Sequence, residues 1–598
     1  MKKLVTLLLL IGSFGAWPVR GQAPAPTFDW ATACGLPGLT TSSVAGGHLA
    51  LDAAGNAYVA GSFTGTARFG ATVLTSASPD APDVFVAKVD TAGNYLWAQS
   101  AGGSGYDWAS AIAVDAQGNA YVTGYFSSLS AAFGRLPLFN ASAAGDTFVA
   151  RLEGSTGTWQ WAVRAGGPDA ESGAAIAVDA AGHVVVSGVF SSRVADFGPI
   201  SLTNARAGAS DVFVAKMTTA TGAWQWAQRA GGTGREDVGG LAVDAVGDVY
   251  VAGSFSSLAA PFGPATLTTT ITGTGPTRGP SANAYVAKLA AAGTGWLWAV
   301  QGGQTDGGGG GSEARALALD SAGNVYVAGN FRSATARFGT AALVNASRPN
   351  IEGSYPSDVF VAKLSGPGSW LWAQQAGGAV NESAAAVTVD ATGRVAVLGS
   401  FSGPMPRVSG APTSGYYSPT ARFGATVLTS AGGSDVFVAQ LDSAGNYRWA
   451  AQGGGGGGDS GTDLAQDAGG RLYCTGTFTS SSAAFGPWRV AGAGVSTGFV
   501  ARLATSPRAV PSASKPRTVP SARQGGGLAI WPNPARGTVW VGGVTPGQVL
   551  QVVDGLGRLV AQAQPLTKDP LRVVLPASLP KGVYLVRHGR QAHRLLVE

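Results

Sequence analysis

Apolar residues fall in short runs rich in Val, Phe, Tyr, Trp and Ala, each ended by a cluster of Gly, Asp, Asn or Ser. No helical spacing recurs, so the pattern predicts short strands joined by tight turns. The phrase DAAGNAYVAGSF at 52–63 returns as DAQGNAYVTGYF from 115, DAAGHVVVSGVF from 179 and DAVGDVYVAGSF from 244. It returns again as DSAGNVYVAGNF from 320, DATGRVAVLGSF from 390 and DAGGRLYCTGTF from 467. An apolar strand precedes each copy. A strand like DVFVAK follows, at 83, 146, 211, 283, 358, 435 and 498, and then a Trp–Ala strand such as WQWA at 159. Ala–x–Phe–Gly marks the stretch between the second and third strands seven times. The spacings between copies are 63, 64, 65, 76, 70 and 77 residues. Four short strands in such a period make one blade of a propeller. The seventh copy lacks its Trp–Ala strand, and FDWA at 28–31 supplies one ahead of the first copy. The expected fold is therefore all-β: a seven-bladed β-propeller closed by an N-terminal strand, which hides the edges of the array.

This order also sorts the connections. Turns between first and second strands, and between third and fourth, are short and share one face. The opposite face carries the second-to-third connections and the crossings between blades. These are long and variable, as at 268–283, 344–358 and 403–420. Recognition is expected on that face.

Composition narrows the class. Charged residues are 12% and Gly is 91 of 598, which suits a turn-rich β protein. The net charge of +6 is unevenly placed: residues 504–598 hold 12 Lys/Arg against 3 Asp/Glu, and 21–503 hold 24 against 30. No basic stripe with spaced aromatics supports nucleic-acid binding. MKKLVTLLLLIGSFGAWPVRGQA reads as a secretory signal peptide, 1–23, and no later run is long enough to span a membrane. A secreted or outer-membrane-surface location and a monomer are expected. Residues 24–503 form the propeller, 504–527 a Pro/Ser/Arg-rich linker, and 528–598 a small β-sandwich domain. Cys34 and Cys474 fall in strands of one blade with another strand between them, at roughly 10 Å. That exceeds the ~7 Å a disulfide spans, so only a loop excursion at Cys34 would allow a bridge.

Candidate chemistry is sparse. Asp–x–x–Gly–Asn supplies one constant carboxylate, too few for calcium, and a hairpin turn accounts for it. No metal or other cofactor has a specific motif here; calcium is the one ion left open. Asp107, Glu171, Glu236, Glu382 and Asp459 stand eight residues before the repeated Asp, and Glu313 stands seven before. Around a channel mouth they would bind a cation or cationic ligand; in the simpler account each caps its own crossing loop. The Trp–x–Trp strands are read as packing, and Tyr416 and Tyr417 as the better ligand contacts. No catalytic constellation stands out. Four scattered His make no zinc site, and a carboxylate pair for glycan cleavage needs only proximity in space.

Two resemblances follow. WPNPA (531–535), DGLGRLV (554–560) and LPKGVYLVR (579–587) resemble the type A C-terminal sorting domain of the type IX secretion system of Bacteroidetes. Pro532, Asn533, Pro534, Gly582 and Tyr584 match its signature. The resemblance implies partnership with that secretion machinery, export across the outer membrane, and release or surface attachment. The family often ends in a lysine, where this chain reads RLLVE. Residues 28–503 resemble the bacterial SBBP-type β-propeller repeat family through D..GN.YV.G.F and D.FVAK.D..G...WA. That family is defined by its repeat and implies no common catalytic residue. The expected role is binding or adhesion, with a glycan or protein on the long-loop face. The alternative is a polysaccharide hydrolase or lyase using carboxylates at the channel mouth.

Overall fold

In the computed structural model the chain divides into two compact units, Met1–Arg508 and Ala509–Glu598. The structure describes residues 25–504 except 38–41, 141, 273–278, 305–309, 350–354 and 404–418. In the second unit it describes 529–531, 538–542, 549–554, 558–563, 571–575, 580, 582–588 and 591–597. The expected signal peptide, and the expected linker beyond Ala504, lie outside the described residues. Every regular element described is a strand, and among the described residues no helix is long and apolar enough to cross a membrane.

The first unit contains seven sets of four antiparallel strands. The second set runs Asp107–Val114, Ala120–Phe126, Asp146–Leu152 and Trp159–Ala165. The seventh runs Asp459–Gln466, Leu472–Phe478 and Thr497–Leu503, and Phe28–Cys34 is its fourth strand. Phe28 lies opposite Leu503 and Cys34 opposite Gly498. Consecutive first strands touch one another, and the first strand of the seventh set touches that of the first. Second and third strands are buried almost throughout, as in Ala120–Phe126 and Asp146–Leu152, which is why the sequence shows continuous apolar runs there instead of alternation.

The repeated turn is self-satisfied. Asp52 Oδ1 accepts from the N–H groups of Ala54 and Asn56, and Asn56 Nδ2 donates to Asp52 Oδ2 at 2.9 Å. Gly55 takes φ +81°, a conformation that favours glycine. The fifth position varies because several side chains can donate to the same carboxylate, as Arg471 Nε does to Asp467 at 2.7 Å. The lysine of FVAK completes the arrangement: Lys88 reaches Asp52 at 3.1 Å and Lys216 reaches Asp179 at 2.6 Å.

Ala–x–Phe–Gly, a landmark whose structure the sequence left open, is a separate hairpin in each repeat, such as Ser130–Phe133 with Leu136–Phe139. In the second repeat it pairs with the fourth strand of the first repeat, Ala131 facing Gly103. Phe133 packs edge-on against Trp159 and tilted on Phe148. The Trp–x–Trp strands are packing elements that also link repeats. Trp296 Nε1 donates to Arg229 O of the preceding repeat at 2.9 Å, and Trp161 Nε1 to Thr219 O of the following one at 2.9 Å. Cys34 and Cys474 are free, buried thiols on either side of Thr497–Leu503, and burial pushes both up to about 12.

The described residues of the second unit form two antiparallel sheets, one of three strands and one of four. Val541 and Val573 of the first share a core with Leu550, Val552, Val586 and Leu595 of the second. Gly582 opens a strand, and Tyr584 is buried with its hydroxyl donating to Pro580 O at 2.7 Å. Pro532, Asn533 and Pro534 lie outside the described residues.

Candidate ligand site

Antiparallel pairing brings the crossings and the second-to-third connections to the same strand ends. Asp107, Glu171, Glu236, Glu382 and Asp459 each open a first strand there, and none is more than 1% exposed. Glu171 accepts from Gly167 N at 2.7 Å and Ser192 N at 2.9 Å, and Glu236 from Gly232 N at 2.9 Å and Ser257 N at 3.3 Å. Asp107 takes Gly103 N and the Ser128 hydroxyl, Glu382 takes Gly378 N, and Asp459 takes Gly455 N and Thr479 N. These carboxylates cap their own crossings, which satisfies backbone donors that would otherwise be buried without a partner. All five are closed from solvent.

Glu313 stands apart from the other five. The position equivalent to the other five is Ser312, whose buried hydroxyl donates to Gly303 O at 3.1 Å. Glu313 is one residue further on, open to solvent and paired with Arg315. Tyr416 and Tyr417 lie outside the described residues.

The site emerges where the repeats differ. Each first strand carries a bulge five residues before its turn aspartate, which skips Ser110, Ala174, Gly239, Arg315, Ala385 and Thr462 in repeats two to seven. Bulges re-aim side chains. Seven residues before the aspartate, four repeats carry small residues: Ala45, Ser172, Ser383 and Ser460. The second repeat carries Trp108 there, the fourth Asp237 and the fifth Glu313. Trp108 is 37% exposed and stacks on Tyr125 with centroids 4.3 Å apart, and Tyr106 beside it is also exposed. Tyr125 is fixed by its hydroxyl on Ala144 O at 2.6 Å.

Between the fourth and fifth repeats lies a cavity of about 520 Å³, within the usual range for small-molecule sites. Its polar lining is Arg235, Asp237, Glu313, Arg315, Ser254 and Ser256. Arg235 meets Asp237 at 3.0 Å, and Arg315 on the bulge meets Glu313 at 2.5 Å. The cavity thus presents two guanidinium–carboxylate pairs and two hydroxyls, planar groups suited to paired hydrogen bonds. Sequence reasoning missed Arg235, Asp237 and Arg315 because it searched for residues that recur. Among the described residues no group of three or more His, Cys, Asp or Glu is placed to hold a metal ion.

The β-propeller repeat family, SBBP, matches residues 96–125. No curated protein sequence matches the chain. Among solved structures, a quinohemoprotein alcohol dehydrogenase from Comamonas testosteroni is 10% identical with a TM-score of 0.35, covering 80% of this chain and 76% of its own. The Pan2 WD40 domain of Neurospora crassa is 10% identical with a TM-score of 0.33, covering 77% and 88%. PorZ, a surface component of the type IX secretion system of Porphyromonas gingivalis, is 10% identical with a TM-score of 0.16, covering 96% and 99%. At these scores none of the three bears on function.

Proposed function

We propose that this chain is an exported binding protein, a seven-bladed β-propeller closed by Phe28–Cys34, whose crossing face takes a glycan into the cavity between blades four and five. The observation that carries the reading is the set Arg235, Asp237, Glu313 and Arg315, which departs from the repeat and lines one cavity. Guanidinium and carboxylate groups offer paired donors and acceptors to neighbouring hydroxyls, and Trp108 adds an exposed aromatic ring on the equivalent position of blade two. Arg315→Ala is expected to weaken retention on a glycan array about tenfold or more, while Arg448→Ala, outside the cavity lining, leaves it unchanged. Equal retention by both variants would remove the cavity from the reading. A parallel screen against extracellular proteins separates a protein ligand from a glycan.

Export rests on the signal peptide at 1–23 and the resemblance of 528–598 to a type IX sorting domain. The mature chain then acts as a monomer outside the cell, free or attached to the outer-membrane surface. Removing 528–598 should hold the protein in the periplasm of a Bacteroidetes host. Undiminished appearance in the medium or on the cell surface would rule the sorting role out.

A further inference from the structure

We propose that five of the seven joints between repeats are held by a proton shared between two buried carboxyl groups, which clasps the first unit at acid pH and releases it as the pH rises through neutrality into alkali. The pairs are Asp83 with Asp107, Asp146 with Glu171, Asp211 with Glu236, Asp358 with Glu382, and Asp435 with Asp459. In each, the first residue lies at the start of a third strand, and the second opens the first strand of the next repeat. In four joints an oxygen from each carboxyl lies within 3.0 Å of where one glycine's Cβ would stand, at Gly102, Gly166, Gly231 and Gly454. In the fifth the two carboxyls flank the adjacent residues Gly377 and Gly378. Oδ1 of Asp83, Asp211, Asp358 and Asp435 and Oε1 of Glu382 are buried and meet no donor. Two carboxylates cannot both stay ionised at such a place. A proton on one gives the other's bare oxygen a donor, so one hydrogen bond replaces a repulsion.

The remaining two joints show what the position requires. Asn283 precedes Ser312, and Thr497 precedes Val44, so both joints are uncharged. The backbone link is the same: Ser312 N donates to Ala282 O at 2.9 Å and Val44 N to Ser496 O at 3.0 Å, as Asp107 N does to Pro82 O at 2.9 Å. Where the aspartate of the third strand is absent, so is the next carboxylate. A neutral pair fits that rule and a doubly ionised one does not.

The groups facing the pairs are few. Arg164 reaches Asp146 and Arg229 reaches Asp211, each at 2.5 Å, so these two joints also carry a cation. Tyr125 stands near Asp107 and Asp146, and Tyr285 near Glu236. Serine hydroxyls at 128, 192, 257 and 480 donate to the carboxyls beside them. Among the described residues no cation faces Asp83–Asp107, Asp358–Glu382 or Asp435–Asp459. Burial holds Asp83 and Asp435 up to about 6, Asp358 to about 7, and Glu382, repelled also by Asp358, to about 9.

The folded chain therefore binds more protons than the unfolded one. The stability this brings is full below the ordinary carboxyl range near 4 and is lost as pH rises through about 6 to 9. The test is thermal unfolding of the full chain from pH 5 to 10. The melting temperature should fall by about 5 °C or more between pH 6 and 9. Asp358→Asn should reduce that fall, since an amide donates to Glu382 without a proton to lose. The infrared band of a protonated carboxyl should persist at pH 7 and shrink in Glu382→Gln, a readout that needs no melt. A melting temperature flat or rising from pH 6 to 9, an Asp358→Asn curve as steep as the parent, or a missing carboxyl band would each overturn the proposal.

Discussion

A chain that starts at residue 38 is expected to lose about 5 kcal/mol or more of stability and to associate through its seventh sheet. Phe28, Trp30 and Cys34 are buried, and each large apolar side chain so buried contributes about 1.5–3 kcal/mol. Six residues of Phe28–Cys34 are in register with Thr497–Leu503, so removing them also bares a strand edge that pairs with other chains. Trp488 loses the Phe28 carbonyl it holds at 3.0 Å, and Arg502 loses Asp29 at 3.2 Å. Denaturant unfolding with light scattering measures both effects. A synthetic peptide of residues 25–37 should restore the monomer. A truncated chain as stable and as monomeric as the parent would show that the strand is an ornament on an otherwise complete array.

Gly329→Ala is expected to cost more than about 3 kcal/mol, at the upper end of overpacking effects. A Cβ there would stand 2.0 Å from Glu313 O and 2.8 Å from the Phe360 ring. The same clash recurs at Gly124 with Trp108 O at 2.0 Å, at Gly188 with Ser172 O at 2.0 Å and at Gly253 with Asp237 O at 1.9 Å. The glycine of YVAG is thus required for space: the first strand's backbone presses onto it beside the bulge. Gly182 is the control. It takes φ +79° with nothing within 4 Å of a Cβ, so Gly182→Ala meets only the conformational cost of about 1 kcal/mol. Denaturant midpoints for the two variants decide the matter. A Gly329→Ala midpoint close to that of Gly182→Ala would mean the first strand can yield.

The strands were legible because each signature is written many times over, so chance runs cancel and turn chemistry stands out. The Ala–x–Phe–Gly hairpin was seen only as a landmark, since four-residue strands carry too few alternations to declare a period. Ser312, whose hydroxyl fills the buried position, was passed over because the search was for carboxylates. The acidic partners at 83, 146, 211, 358 and 435 were written in the sequence as the Asp of DVFVAK. Their change to Asn283 and Thr497 where the next residue is Ser312 or Val44 was the available signal. The cavity residues were illegible for the opposite reason. Repetition reports what the backbone needs, whereas Arg235, Asp237 and Arg315 differ from their counterparts, and only the packing of neighbouring strands brings them together.

Phe28 and Trp488 are 460 residues apart in sequence yet share a hydrogen bond. The strand that finishes the seventh sheet is therefore synthesised before any of its partners. It must wait, unpaired, until Thr497–Leu503 has emerged, and closing so long a loop is slow. Until then the edge of Thr497–Leu503 that Phe28–Cys34 covers is unpaired, and such an edge can pair with another copy of the chain.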